Sequence, residues 1–500
     1  MLARLARTRR CSLVLLVACT LLMPGRMAAA QTAPGATLPA DVRDALEQAA
    51  LPREALAVWV QEVGGPAATT PPRLSWRADA PINPASLTKL LTTYAALDLL
   101  GPAWTWSTPV WLQGPINDGV LDGNLVIKGS GDPKLVLERL WLMLRKVRAL
   151  GVRQIRGDIV LDRSSFIVPE QNPADFDGEP LRPYNVSADA LLLNYKTVTL
   201  TFTPDPARAA AFVGVEPPLA GVRVDASVPF SAGPPSGCGD WRSELGAQFD
   251  DPARIRLTGT FNPSCAEKAW PIAYVDPRTY NARALLGIWH ETGGTLAGSV
   301  RDGIAPASPP SFVMSSPPLA EVVRDINKFS NNVMAQQLFL TLALVQRGSG
   351  TPENGRAVLR EWIAERFGAQ AAAGLVIDNG SGLSRDTRVS VRLLARTLQS
   401  AWAAPVMPEL IASLPINGLD GTARFRSPLV RAHLKTGSLR DVRGVAGYVL
   451  GDSGRRYVVV AILNHPSAGL DAARAPLAAL LQWVANDGPA ATASAPVGGG

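Results

Sequence analysis

Apolar residues recur with different periods along the chain, and both helical and strand patterns occur before residue 103. Residues 41–50 have the pattern of a helix, and residues 55–63 have that of a strand. A longer helix is predicted behind Asn83-Pro84, because apolar residues recur there every three or four positions until Gly101 and Pro102 end the pattern. We expect this part of the chain to supply one edge of a domain and one buried helix.

Residues 104–277 have a different texture, in which short apolar alternations are separated by frequent Gly, Pro, Asp and Asn residues. This texture predicts β-rich structure, interrupted by one helix near residues 135–150. The predicted strands in this region are 123–128, 157–161, 197–203 and 254–261. Because the region lies between two helix-rich parts, we expect it to be an insertion that forms two small domains.

The C-terminal part returns to helical periodicity and ends in strands. Its predicted helices are 281–291, 319–328, 333–345 and 470–485, and its predicted strands are 430–436, 442–450 and 456–463, the last two as a hairpin. Strands at both ends of the chain predict one antiparallel sheet that both ends build and that helices cover. The predicted fold class is α/β (α+β), with a discontinuous domain of residues 31–103 and 278–485 interrupted by the insertion at 104–277.

The first thirty residues have the pattern of an export signal. Four arginines within residues 1–10 precede an apolar stretch at 12–23, and three alanines at 28–30 provide a cleavage site of small residues. We therefore expect the mature chain in the periplasm. Cys19 lies in a sequence similar to a lipoprotein processing box, so a lipidated N-terminus is the alternative.

Composition excludes several classes of partner. The chain is 47% hydrophobic and 18% charged, as ordinary globular proteins are. Its formal net charge of +7 falls to +2 without the first thirty residues, which hold five arginines and no acidic residue. No further basic run indicates nucleic acid and no further apolar stretch could span a bilayer, so we expect at most peripheral membrane association. Residues 486–500 form a low-complexity tail that we expect to be disordered.

Only two cysteines, Cys238 and Cys265, lie outside the export signal. In an oxidising compartment such an isolated pair predicts one disulfide, and two buried thiols are the alternative. The three histidines, His290, His433 and His465, do not combine with cysteines at metal-ligand spacing. We expect neither a metal nor another cofactor, and we expect His433 to be an ordinary residue on a sheet face.

Three short strings carry the chemistry: Ser86-Leu87-Thr88-Lys89, Ser330-Asn331-Asn332 and Lys435-Thr436-Gly437. In an S-x-x-K string on a helix, the lysine amine lies one turn from the serine hydroxyl on the same face. A serine hydroxyl is a weak nucleophile until such a neighbour removes its proton. Each string alone occurs by chance, but the three in this order match the signature of penicillin-binding proteins and serine β-lactamases.

Spacing and flanking residues resemble one family among these proteins. Pro84-Ala85-Ser86 and the glycine-containing segment 378–385 resemble the class C low-molecular-mass penicillin-binding proteins, which carry two extra domains between the first two strings. Asn331 stands where some members have Asp. The resemblance implies a serine β-lactamase/transpeptidase-like domain with inserted β-rich domains. For Gly380 to Gly382, an ordinary turn and a wall of the site both remain open.

The resemblance also implies a catalytic role for three residues. Ser86 is the expected nucleophile, which attacks the carbonyl of the penultimate D-alanine and becomes the acyl-ester. Lys89 is the expected base, and it must be neutral to accept the proton, for which burial near a second cation would lower its pKa. Ser330 is expected to relay a proton to the leaving amine.

Substrate-binding roles are implied for the remaining residues of the strings. Asn332 is expected to hold the substrate amide, and Lys435 and Thr436 the terminal carboxylate or the carboxylate of a β-lactam. Gly437 and Ser438 follow in the same strand, and the amide of Ser438 is expected to form an oxyanion hole together with that of the nucleophile.

We therefore expect a serine-type D-Ala-D-Ala carboxypeptidase and D,D-endopeptidase that acts on peptidoglycan stem peptides and cross-links and that β-lactam antibiotics inhibit covalently. A serine β-lactamase and a penicillin-binding scaffold protein with low turnover are the alternatives. The intact strings favour an enzyme, and the sequence shows no clear deacylation residue that would favour a β-lactamase.

Overall fold

The computed structural model describes residues 37–64, 71–232, 237–424 and 426–488, so the expected export signal, Cys19 and most of the expected tail lie outside the described residues. The α-helices are α1 (Ala40–Gln48), α2 (Thr88–Leu100), α3 (Leu137–Ala149), α4 (Pro277–Glu291), α5 (Leu319–Phe329), α6 (Asn332–Arg347), α7 (Pro352–Phe367), α8 (Ala369–Ala373), α9 (Val391–Trp402), α10 (Met407–Ser413) and α11 (Ala475–Ala485). The strands are β1 (Leu56–Glu62), β2 (Leu74–Trp76), β3 (Ser107–Gln113), β4 (Ile116–Asn117), β5 (Val120–Leu121), β6 (Asn124–Lys128), β7 (Gln154–Ile155), β8 (Ile159–Asp162), β9 (Thr197–Asp205), β10 (Ala210–Glu216), β11 (Arg223–Val224), β12 (Ser227–Pro229), β13 (Leu245–Asp251), β14 (Arg254–Gly259), β15 (Lys268–Ala273), β16 (Thr295–Leu296), β17 (Val300–Asp302), β18 (Phe312–Ser315), β19 (Ala432–Leu439), β20 (Val442–Leu450) and β21 (Arg456–Asn464).

A five-stranded antiparallel sheet forms the centre of the helix-rich part, in the order β19-β20-β21-β1-β2. Strand β1 pairs along its whole length with β21, so that Val58 lies opposite Ala461. The hairpin of β20 and β21 places β19 at the other edge of the sheet. Both ends of the chain therefore build one sheet, as the sequence predicted.

Helices cover both faces of this sheet. On one face, α1 and α11 contribute buried apolar residues such as Leu46 and Leu480 to a common core. On the other face, α2 packs among α5, α6, α7 and α9, and its residues from Thr88 to Leu97 are all buried. Each fully buried leucine-sized side chain stabilises the fold by roughly 1.5–3 kcal/mol. Since α2 is buried on every side, it forms the centre of this helical layer. The sheet with helices on both faces confirms the predicted fold class.

The part between α2 and α5 contains four small sheets, in the orders β12-β10-β9-β15, β11-β14-β13, β16-β7-β5-β4 and β17-β8-β6-β3-β18. Strands β16, β17 and β18 pair with β7, β8 and β3, and α4 shares a hydrophobic core with α3. Residues 277–315 thus pack with the β-rich insertion, although the sequence placed its end at residue 277. We propose that the insertion ends near residue 316, after β18. The sequence did not indicate this boundary, because a helix and strands of two to four residues do not show the alternation of a β-rich region.

Most predicted elements are present with ends shifted by a few residues, and two differences affect the site. Ser86 lies in a 3-10 turn, Ala85–Leu87, which precedes α2, whereas the sequence placed it in the first turn of the helix itself. The third string lies within β19, which continues to Leu439 instead of ending at residue 436. Helices α7 to α10 had no counterpart among the predictions.

Candidate active site

Ser86 is held in a strained turn that a pair of asparagines fixes. The residue before it, Ala85, has a φ of +47°, a conformation that costs a non-glycine residue free energy and persists only where surroundings enforce it. The Ala85 amide donates to Asn83 Oδ1 at 2.9 Å. Asn83 in turn exchanges two hydrogen bonds with Asn464 at the end of β21, its amide donating to Oδ1 at 2.8 Å and its carbonyl accepting from Nδ2 at 2.9 Å. The sheet therefore positions the serine.

Lys89 is completely buried one turn after Ser86. Its Nζ lies 3.0 Å from Ser86 Oγ, 2.6 Å from Asn332 Oδ1 and 2.6 Å from the Ser381 carbonyl oxygen. Burial, with a smaller contribution from the Lys435 cation, holds the pKa of Lys89 well below its usual range. Burial thus shifts Lys89 towards the neutral form that a base beside the serine hydroxyl requires.

A neutral amine has two hydrogens and one lone pair, and the contacts of Lys89 divide accordingly. The Ser381 carbonyl can only accept a hydrogen bond, and Asn332 presents its oxygen, so these two groups take both amine hydrogens. The lone pair is then directed at the third neighbour, Ser86 Oγ. This arrangement suits removal of the hydroxyl proton.

The second string stands between α5 and α6. Ser330 ends α5 with a φ of +56°, a left-handed conformation that is uncommon for serine. Asn331 is the N-cap of α6, and its side-chain oxygen accepts from the Met334 amide at 3.0 Å. The variable middle position of the string is thus a helix cap, while Ser330 and Asn332 lie on either side of it in the site.

Lys435 is also completely buried, and its Nζ donates to Ser330 Oγ at 2.9 Å and to the Thr436 carbonyl at 2.8 Å. Burial lowers the pKa of Lys435 to about 7. A Cβ on Gly437 would lie 2.8 Å from the Pro84 carbonyl oxygen, so glycine permits β19 to approach the Ser86 turn. Ser330, which Lys435 contacts, and Ser438, which follows Gly437 in β19, line the same clefts as Ser86.

The segment around Gly380 to Gly382 is a wall of the site, which answers the question that the sequence left open. Gly382 has a φ of +80°, and a Cβ there would lie 1.9 Å from the Ala85 carbonyl oxygen. Ser381 is fully buried, its hydroxyl donates to Asn379 Oδ1 at 2.8 Å, and its carbonyl accepts from Lys89. The sequence indicated the glycines but not the contact of the Ser381 carbonyl with Lys89, because every residue has a backbone carbonyl and no motif shows which one is used.

Two clefts meet at Ser86, Ser330 and Ser438. One has a volume of about 900 Å³ and is lined by Asn332 and by residues of the insertion, namely Phe176, Asp177, Pro183, Tyr184, Tyr195, Thr197 and Pro271. The other has a volume of about 790 Å³ and lies along Thr436 and α11. The insertion thus forms part of one wall, which the sequence alone could not show because all three strings lie outside residues 104–277.

The other candidate residues lie away from the clefts. Cys238 and Cys265 form a disulfide with their Cα atoms 4.8 Å apart. His433 is half-buried on β19, where it pairs with Tyr448 across the sheet. Within the described residues, no group of three or more His, Cys, Asp or Glu side chains could hold a metal ion. None of the helices in those same ranges has the length and apolar character that crossing a bilayer requires.

Comparison with known proteins identifies the family of this chain. The model of the D-Ala-D-Ala carboxypeptidase 3 (S13) family matches residues 38–486. A D-alanyl-D-alanine carboxypeptidase of Actinomadura sp. (strain R39) is 30% identical over 415 residues, which cover 77% of this chain and 74% of that protein. The D-alanyl-D-alanine carboxypeptidase DacB of Haemophilus influenzae is 25% identical over 427 residues, covering 80% and 84%.

Solved structures show the same fold. Penicillin binding protein 4 (dacB) of Haemophilus influenzae superposes with a TM-score of 0.69 at 23% identity, covering 88% of this chain and 97% of that one. A structure of that protein complexed with a β-lactam superposes with a TM-score of 0.64. The resemblance inferred from the three strings and the enzyme class that it implied are confirmed, and the chain belongs to the D-Ala-D-Ala carboxypeptidase 3 (S13) family.

Proposed function

We propose that this enzyme acts from the periplasm as a serine-type D-Ala-D-Ala carboxypeptidase and D,D-endopeptidase on peptidoglycan peptides, through an acyl-enzyme on Ser86. One observation carries the proposal: the Nζ of the fully buried Lys89 lies 3.0 Å from Ser86 Oγ, while Asn332 Oδ1 and the Ser381 carbonyl, each at 2.6 Å, can accept both hydrogens of a neutral amine. A lysine base and a serine nucleophile in this contact perform acyl transfer without a histidine.

In the acylation step, Ser86 Oγ attacks the carbonyl carbon of the penultimate D-alanine while its proton moves to Lys89 Nζ. The amides of Ser86 and Ser438 stabilise the oxyanion. The C–N bond then breaks as the proton that Lys89 accepted passes to the leaving amine through Ser330, whose hydroxyl Lys435 orients at 2.9 Å. Water then attacks the ester carbonyl, Lys89 accepts the proton of that water, and the same proton returns to Ser86 Oγ when the ester C–O bond breaks.

Binding follows from the groups that line the clefts. Asn332 uses its oxygen on Lys89, which leaves its Nδ2 hydrogens for a substrate carbonyl. In its protonated form, Lys435 supplies positive potential beside Thr436 for the carboxylate of the leaving residue or of a β-lactam. The relative from Haemophilus influenzae has been solved with a β-lactam, which supports covalent inhibition of this enzyme by the same class of compound.

The proposal is tested by incubating the mature protein with a fluorescent penicillin and locating the adduct by mass spectrometry. We expect one adduct, on Ser86, and none in Ser86→Ala. The matched control is Ser400→Ala, which makes the same chemical change at a hydroxyl that contacts Tyr94 and lies outside both clefts. Digestion of purified sacculi should release D-alanine and uncrosslinked monomers.

Two results would contradict the proposal. An adduct on another residue would exclude Ser86 as the nucleophile. An adduct that turns over rapidly, without any product from sacculi, would identify the enzyme as a β-lactamase.

A further inference from the structure

The cleft of about 790 Å³ beside Thr436 holds a group of arginines that the proposed chemistry does not use. Three arginines, Arg426, Arg443 and Arg474, line it together with Thr436 and Ser86. They come from three places in the chain: the segment before β19, strand β20 and the turn before α11. Their convergence is a property of the tertiary structure.

The positive charge of this group is only partly neutralised. Arg474 pairs with Asp471 at 3.0 Å, and Arg443 donates to the carbonyls of Ala468 at 2.9 Å and Gly469 at 2.7 Å, which are neutral. None of the described residues that line this cleft is acidic. Burial, followed by repulsion from Arg443 and Arg474, lowers the pKa of Arg426. A bound anion would relieve this repulsion.

The position of the cleft relative to the scissile bond identifies which part of a substrate enters it. Thr436, the expected partner of the leaving residue's carboxylate, lines this cleft, whereas Asn332 lines the other. The acyl side of the substrate therefore lies towards Asn332, and the amine side lies towards the arginines. In a carboxypeptidase reaction the leaving group is a single D-alanine, which cannot reach far beyond Thr436.

We propose that Arg426, Arg443 and Arg474 bind carboxylates of the strand on the amine side of a cross-link. This inference rests on the proposed function and deepens it, since it identifies the preferred leaving group as a peptide with several carboxylates. Guanidinium groups suit such a ligand because they bind carboxylates with two parallel hydrogen bonds. Ala478, Ala479 and Leu481 of α11 complete the cleft and provide an apolar wall for the aliphatic part of that strand.

The test compares two cross-linked peptide dimers that share one acyl-donor strand. In the first, the leaving strand keeps its carboxylates. In the second, these carboxylates are amidated, except the one next to the scissile bond. We expect the wild-type enzyme to cleave the first dimer with a kcat/KM about tenfold higher, the scale of one or two partly exposed charge-assisted hydrogen bonds. Arg426→Gln and Arg474→Gln should each bring this ratio towards one.

Arg431→Gln is the matched control, because Arg431 directly precedes β19, is largely exposed and lies outside the cleft. Arg431→Gln should keep the wild-type ratio of kcat/KM for the two dimers. Arg426→Lys, which keeps a positive charge, should retain more of this ratio than Arg426→Gln does. Equal rates on the two dimers by the wild-type enzyme would overturn the inference, as would arginine variants that slow both dimers equally. Penicillin labelling of the same samples separates the two proposals: an enzyme that labels at Ser86 but shows no preference retains the proposed function and loses only the arginine site.

Discussion

Replacing Lys435 with methionine should change how the stability of the enzyme depends on pH. The folded protein holds the pKa of Lys435 at about 7 because the amine is buried, compared with 10.5 for an ordinary lysine. Between these values the unfolded chain binds a proton that the folded protein does not bind. Stability therefore rises with pH across this window, and the penalty for burying Lys435 is complete below pH 7.

The magnitude follows from the shift. One pKa unit corresponds to about 1.4 kcal/mol, so the free energy of unfolding of the wild type should rise relative to Lys435→Met by about 3 kcal/mol between pH 6 and pH 9. The hydrogen bonds that methionine cannot make to Ser330 and the Thr436 carbonyl change stability by an amount that does not depend on pH. They cancel when only the difference in slope is compared.

Urea unfolding of both proteins at several pH values measures this difference. Ser330→Ala is the matched control, because it removes a hydrogen-bond partner of Lys435 and keeps the amine, so its curve should keep the wild-type slope. Parallel curves for the wild type and Lys435→Met would refute the reasoning, since they would mean that Lys435 titrates in the folded protein as it does in the unfolded chain.

Further predictions concern the base, the serine turn and the disulfide. Lys89→Ala should slow acylation by penicillin by about two to four orders of magnitude, the usual scale for loss of a general base, and acylation at the normal rate would exclude Lys89 from that role. In the wild type, the acylation rate measured by stopped-flow should fall as pH decreases, because protonation of Lys89 removes its lone pair. An acylation rate that does not change with pH would argue against a neutral Lys89 as the base. Asn464→Ala should slow acylation by about tenfold or more, because it misplaces Ser86. The pH dependence of the rate should stay the same, since Lys89 remains in place. An unchanged rate would show that the Asn83–Asn464 pair does not position the turn. Replacing Cys238 and Cys265 together by serine should lower the melting temperature, because closing this loop is worth about 3–4 kcal/mol on the chain-entropy model. The acylation rate should stay nearly constant. A large fall in this rate would place the disulfide closer to the site than the structure does.

The site could be anticipated from the sequence to the extent that its chemistry is local. Ser86 and Lys89 are three positions apart, and a single helical turn brings residues at this spacing to the same face. The order of the three strings was enough to indicate the family. The sheet built from both chain ends was also predictable, because strand patterns near residue 60 and beyond residue 430 both needed partners.

The groups that complete the site could not be read from the sequence. The Ser381 carbonyl, the Asn83–Asn464 pair and the aromatic wall at Tyr184 and Tyr195 have no motif of their own. Nor did the sequence reveal that residues 277–315 pack with the insertion, since strands of two to four residues are too short to show a period.

The sequence by itself therefore indicated the enzyme class and predicted a nucleophile and its base, because these predictions depend on residue types at short fixed spacings. Only the tertiary structure lowered the pKa values of Lys89 and Lys435, because the burial of both amines, and the Lys435 charge beside Lys89, depend on what packs around them. The tertiary structure also brings three arginines, Arg426, Arg443 and Arg474, into one cleft. The sequence could not show this, because the distances between residues of different elements depend on how the sheet and its covering helices assemble.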